Sequence, residues 1–246
     1  MGLLKDFSIQ LYSLREQTAT DFRGVLNKLS AIGYGGVEFA GYGDIPAPEM
    51  KELLQKLNIR PVGSHVGIDR FRENFAGEID YARTVGIEYL IVPGYNVAET
   101  GTAAFVKEMK ELAPRVKAEG FRFGYHNHDF EFKMDGDKYI LDRLMDATAA
   151  DELDIELDIF WAAYAGVDYL EYLKKWGSRI KLLHIKQIAD FESKRCVDLD
   201  EGVIDFAEII TTGNAVGVKE YILEQEEFEI DPWISVEKGY KHIMSL

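Results

Sequence analysis

One cysteine and six prolines in 246 residues exclude two kinds of protein at once. Cys196 has no partner for an internal disulfide, so the chain is no disulfide-stapled secreted scaffold. No stretch rich in Pro, Gly or Ser divides it, and neither a low-complexity tract nor a strong internal repeat is present. Long apolar runs are missing as well. None approaches the roughly 20 residues of a membrane span, and the opening MGLLKDFSIQ lacks the core of a signal peptide. Asp6 stands where a myristoylation signal beginning at Gly2 needs Ser or Thr. The expectation is a soluble chain in a reducing, cytoplasmic setting. Positive charge is also scarce: 28 Lys and Arg face 43 Asp and Glu, a formal charge of -15. That balance repels phosphate backbones and anionic lipid, so neither nucleic acid nor a membrane is an expected partner.

What the chain does have is apolar and regular. With 47% hydrophobic and 12% aromatic residues it can bury one large core, and residues 1–246 read as a single domain. Strand-length and helix-length patterns alternate along it. Phe7–Ser13 precedes a helix opening near Asp21, with Phe22, Val25, Leu26, Leu29 and Ile32 on one face and Gly33 as its stop. Gly36–Ala40 precedes a helix marked by Met50, Leu53, Leu54 and Leu57. Strands at PVGSHV, Glu88–Gly94 and Phe121–Phe132 follow, then units beginning at Leu153, Ile180 and Gly217. Eight strand–helix units at a mean period of about 31 residues predict an α/β fold, the (β/α)8 TIM barrel. An open doubly wound sheet would carry a glycine fingerprint after its first strand, where this chain reads LYSLRE; the GYG at Gly41–Gly43 reads as an ordinary loop.

Four apolar strands end in polar side chains: FRFGYHNHDFEF at His126, LDIELDIF at Asp158, IKLLHIKQ at His184 and Lys186, and VKEYILEQE at Glu224 and Glu226. In a closed barrel the C-terminal strand ends share one mouth, so these residues can meet. Two imidazoles and two carboxylates suit one divalent ion, Mn²⁺, Co²⁺, Zn²⁺, Fe²⁺ or Mg²⁺, better than Ca²⁺. Crowded carboxylates at a dry mouth would otherwise repel one another.

YHNHDFEF (Tyr125–Phe132), LDIFWAAYAG (Leu157–Gly166), RIKLLHIKQ (Arg179–Gln187), EGVIDF (Glu201–Phe206) and YILEQE (Tyr221–Glu226) together resemble the xylose isomerase-like TIM barrels. That family includes sugar phosphate isomerases/epimerases and inosose dehydratases. The resemblance implies a divalent metal held by an acid on strand five, an aspartate on six, a histidine on seven and a glutamate on eight. Asp158, His184 and Glu224 match the last three. His126 stands where many relatives have glutamate, and His128 shares its strand parity, so either is the expected fourth ligand. Trp161 replaces a histidine of many relatives, which weakens an abasic-site endonuclease reading, and Gln187 replaces an aspartate.

The function these features predict is a metal-dependent sugar isomerase or epimerase acting on a keto-sugar or related polyol through an enediolate. A lyase or dehydratase on a keto-sugar or inosose, and a non-catalytic sugar-binding barrel, are the alternatives. Glu131 is the first candidate for the proton-transferring base, Glu156 the second, with Glu224 able to act from the metal shell. His65, His128, Trp161, Lys186 and Tyr12 are expected substrate contacts, Lys186 toward a hydroxyl or enolate oxygen. Phe39 and Tyr95 read as cover, Cys196 as unreactive, and the acids after Glu224 as a solvated loop. No glycine-rich phosphate cradle is visible, which points to an unphosphorylated sugar as the small-molecule partner. Family barrels can pair through their helical faces, but no stretch here specifies a homo-oligomer.

Overall fold

The computed structural model describes residues 2–246. Eight parallel strands close into a barrel: β1 (Ser8–Gln10), β2 (Gly36–Phe39), β3 (Arg60–His65), β4 (Tyr89–Val92), β5 (Arg122–His126), β6 (Asp154–Asp158), β7 (Ile180–Ile185) and β8 (Glu220–Leu223). Each pairs with its sequence neighbours, and β8 closes on β1 through Ser8–Ile222 and Ile9–Leu223. The connecting helices are α1 (Arg15–Ile32), α2 (Ala47–Leu57), α3 (Ile68–Val85), α4 (Thr102–Ala118), α5 (Ile140–Ala147), α6 (Tyr169–Trp176), α7 (Phe206–Val216) and α8 (Pro232–Met244). This is the (β/α)8 TIM barrel that the alternation predicts. Its strands are buried on both faces, which is why they read as continuous apolar runs rather than as alternating ones.

The main core lies between barrel and helices, with Leu26, Met50, Phe105, Val116, Leu144, Ile209 and Val236 packed inward from the helical layer. A small separate cluster, Val62, Tyr89, Ile91, Leu182 and Ile222, fills the barrel interior. Polar residues above it are therefore cut off from water on one side. Among the described residues no helix is long and apolar enough to cross a membrane.

Two boundaries differ from the sequence expectation. The first strand ends at Gln10, and a 3-10 turn over Leu11–Leu14 runs directly into α1 at Arg15. That helix is broken at Asp21 (φ −148°, ψ 81°), whose Oδ1 accepts the Gly24 N–H at 2.8 Å. The helix start expected near Asp21 is this internal cap. The fifth strand stops at His126 instead of running to Phe132. Residues 127–132 turn away and end in a 3-10 turn over Phe130–Phe132, a turn that changes where Glu131 points.

Candidate active site

Strands β5, β6 and β7 deliver His126, Asp158 and His184 to the mouth, and Glu224 follows β8 by one residue. All four are buried, and each offers one ligand atom within 4.8 Å of the others'. His184 Nδ1 lies 3.1 Å from Glu224 Oε2 and 4.0 Å from Asp158 Oδ2. Asp158 is fixed by its surroundings. Asn127 Oδ1 accepts its backbone N–H at 3.1 Å, and Asp158 Oδ1 accepts the Trp161 N–H at 3.0 Å, capping a short helix over Ile159–Tyr164. Asp158 Oδ2 is left buried without a partner. Burial, with Glu224 adding repulsion, pushes this carboxyl up to about 7. Burial opposes ionisation of Glu224 as well, but His184 and Lys186 outweigh it and hold that carboxyl well below the usual range.

Beneath this set lies a second polar layer. His65 Nε2 is 2.7 Å from Glu156 Oε2 and 3.2 Å from Glu38 Oε2. His184 Nε2 is 2.9 Å from Glu38 Oε2 and 3.3 Å from Glu156 Oε2. Gln10 Nε2 donates to the same Glu38 oxygen at 2.8 Å. Burial works against protonation of His65 and His184, yet the carboxylates prevail: His65 rises to about 10, and His184 also rises well above the usual imidazole range. His126 goes the other way; burial and the charge on His184 lower it, and its Nδ1, 3.2 Å from Glu156 Oε2, makes no well-aligned hydrogen bond.

His65, His126, Glu156 and His184 also lie within metal-ligand spacing of one another. The two sets share His126 and His184, and they differ in how the oxygens nearest those nitrogens are paired. In the lower layer Glu38 Oε2 and Glu156 Oε2 each meet three nitrogens, while Glu38 Oε1 and Glu156 Oε1 are buried without a partner. In the upper set Asp158 Oδ2, 4.0 Å from His184 Nδ1, is itself without a partner. The upper set, with two nitrogens and two carboxylates, fits a divalent ion. The lower layer fits the role of orienting its histidines, with Nε2 of His184 held by carboxylates so that Nδ1 faces the site.

The mouth is a cavity of about 410 Å³ whose lining includes Tyr12, His65, His126, His128, Glu224 and Glu226. Tyr12 stands at the rim, with the Arg15 guanidinium 4.9 Å over its ring. His128 stacks on Phe130 at 5.6 Å and packs 5.4 Å from Trp161, and its Nδ1 has no partner. Lys186 is not in the lining. It is 1% exposed, its Nζ donates to Glu226 Oε1 at 2.7 Å, and it lies 4.7 Å from the Phe160 and Trp161 rings. Trp161 thus packs on Lys186 and His128 and takes no place in the lining. Glu226, expected in a solvated loop, covers the lysine and faces the cavity.

Glu131 is the clearest departure. It accepts the His128 N–H at 2.8 Å and a short hydrogen bond from the Tyr125 hydroxyl. The Tyr125 ring packs 4.9 Å from Phe105 of α4, so Glu131 lies on the helix side of the sheet, where burial pushes its carboxyl up to about 7. The structure does not bring it to the mouth. Glu156 has the expected parity with Asp158, but it is buried in the lower layer beneath the cavity. Phe39 and Tyr95 are buried as cover, and burial raises the Cys196 thiol to about 11. Gln187 pins its own loop, accepting from Ile188 and Ile204 N–H and donating to Leu199 and Ile204 carbonyls. Glu38 and Gln10 were missed by sequence reasoning, and Asn127 and Glu226 were given no specific role beyond their place at strand ends. Only Glu38 carried a signal, as a lone acid inside the apolar GVEFA.

A family model for the xylose isomerase-like TIM barrel matches residues 26–244. The chain belongs to that family. Among curated relatives, an inosose dehydratase of Clostridium perfringens is 25% identical over 119 residues, which cover 48% of this chain and 38% of that enzyme. The match thus spans well under half of the relative's length. Among solved structures, a sugar phosphate isomerase/epimerase from Parabacteroides distasonis superposes with a TM-score of 0.83 at 24% identity, over 99% of each chain. The IolI protein, solved with a bound zinc atom, superposes with a TM-score of 0.70 at 15% identity, over 98% of each. At these identities the structures support the shared fold.

Proposed function

We propose that this family member binds one divalent ion through Asp158, His184, Glu224 and His126 and acts on the carbon next to the carbonyl of a keto-sugar or inosose. The observation that carries the reading is Asp158 Oδ2, a buried carboxylate oxygen with no partner, set beside His184 Nδ1 and Glu224. An isolated buried carboxylate is costly, and its raised protonation point expresses that cost. When bound, a divalent ion supplies positive charge that makes the carbon next to a carbonyl easier to deprotonate. A zinc-bound structural neighbour with the same fold supports the same choice.

The chain's own residues then divide the work. Glu224, ionised and lining the cavity, is the proton acceptor; with Glu131 on the far side of the sheet, it is the carboxylate best placed for the task. His128 offers an unpartnered nitrogen to a sugar hydroxyl. His65 lines the cavity with one ring nitrogen committed to Glu156, so its other edge can meet a hydroxyl. Tyr12 covers the ring from the rim. Returning the proton to the other carbon isomerises, and returning it to the other face epimerises. The inosose dehydratase relative supports a second outcome, in which loss of a β-hydroxyl dehydrates the same enediolate. Incubation with fructose, a pentulose and scyllo-inosose in deuterated water tests both. Metal-dependent deuterium uptake next to the carbonyl is expected, and product analysis separates isomer from dehydrated ketone. No uptake from any of these or a wider ketose panel, with metal bound, would leave a sugar-binding barrel.

A further inference from the structure

The charges bordering the mouth do not look alike with and without Glu226. No lysine or arginine is among the residues lining the cavity, although two carboxylates, Glu224 and Glu226, are. Lys186 is 1% exposed behind that lining, with its Nζ 2.7 Å from Glu226 Oε1. The Phe160 and Trp161 rings each lie 4.7 Å from Nζ, Asp158 and Glu224 also act on its charge, and Glu226 is its one side-chain hydrogen-bond partner. Arg15, at the rim, donates to the Glu226 and Tyr12 carbonyl oxygens and lies over the Tyr12 ring. A divalent ion held by Asp158 and Glu224 would offset those two carboxylates, leaving Lys186 and Glu226 to cancel each other.

From this arrangement we infer that Glu226 is a specificity-determining residue: it occupies Lys186 and makes the mouth select uncharged polyhydroxy carbonyl compounds over phosphorylated or carboxylated ones. The inference rests on the sugar reading for its ligand class, but its physical content is separate. An anion entering the wild-type mouth meets the Glu224 and Glu226 carboxylates and finds Lys186 already paired, with the His65 ring edge as the remaining cationic contact, and like charges brought together in a desolvated pocket are strongly unfavourable. Removing the Glu226 side chain exposes a buried ammonium flanked by two aromatic rings, a strong anion site.

The test uses the full chain, freed of metal by chelation so that an anion cannot bind an ion instead. Inorganic phosphate and fructose 6-phosphate are titrated by calorimetry into wild type, Glu226→Ala, Glu226→Gln and Glu226→Ala/Lys186→Met, with circular dichroism confirming that each variant is folded. Wild type is expected to show no saturable phosphate binding up to about 10 mM. Glu226→Ala is expected to bind both anions at least tenfold more tightly, Glu226→Gln to gain part of that, and the double variant to lose the gain. Wild type binding either anion as tightly as Glu226→Ala would overturn the inference, and so would a folded Glu226→Ala that gains nothing. A parallel titration of metal-loaded wild type with fructose keeps the two readings apart. Anion gain at position 226 without any ketose binding would sink the sugar reading and leave the charge selection standing; ketose binding without anion gain would do the reverse.

Discussion

Acidifying the solution is expected to expel a bound metal ion with a pH dependence peculiar to this site. Two of the four ligands carry protons that a metal must displace. Asp158 is protonated below about 7, because burial and Glu224 raise it, and His184 stays protonated well above neutrality, because Glu156 and Glu224 overcome its burial. Glu224 is ionised and His126 neutral throughout, so neither contributes. Metal binding therefore releases two protons below pH 7 and one above it. Each released proton makes the apparent Kd fall about tenfold per pH unit. Between pH 6 and 7 the Kd is expected to fall about 50-fold, roughly 2.3 kcal/mol, because Asp158 is half ionised at the upper end, and the fall is expected to continue above pH 7.5 through His184. The assay is competition with a chelator of known proton affinity, using Zn²⁺ or Mn²⁺. A site made of ordinary carboxylates and two imidazoles titrating at about 6.5 would release up to two protons below that point and none above it. A Kd flat above pH 7.5 would refute the reasoning.

Other perturbations follow from the same geometry. Glu38→Gln removes the charge 2.9 Å from His184 Nε2 and is expected to weaken metal binding about 10- to 100-fold, measured by the same competition, with the ion otherwise still bound. Gly63→Ala would place a Cβ 2.7 Å from Glu38 Oε1 and 3.2 Å from Ile91 Cδ1, and is expected to cost about 1–3 kcal/mol in denaturant unfolding. Glu131→Gln is expected to keep both metal and proton exchange while losing about 1 kcal/mol of stability, since it loosens the Tyr125 and His128 hydrogen bonds on the helix side. Loss of exchange in that variant would return Glu131 to the chemistry.

The fold was legible because strand and helix periods differ and each unit repeats both. The mouth residues were legible for a related reason: an apolar strand that ends in His126, Asp158, His184 or Glu224 has no packing use for that last side chain. Depth and direction were harder to read. Glu156 shares a face with Asp158, but two residues along a strand are about 6.6 Å, enough to move a carboxylate from the cavity into the layer below. Glu131 was misplaced because the period of two holds only while the strand lasts, and the chain leaves it at His126. Glu38 and Glu226 depend on partners contributed by distant strands, Lys186 and His184 among them, and a one-dimensional pattern contains no trace of such pairings. Asn127 is the same case, because its partner is a backbone in the next unit.

The most direct test of the account is an anomalous diffraction map from crystals soaked in Zn²⁺ or Mn²⁺. One peak within ligand distance of Asp158 Oδ2, His184 Nδ1 and Glu224, with His126 Nδ1 turned toward it, is the predicted result. A peak instead among His65, Glu38 and Glu156, or no peak at these residues in protein that is folded and exposed to millimolar metal, would contradict it.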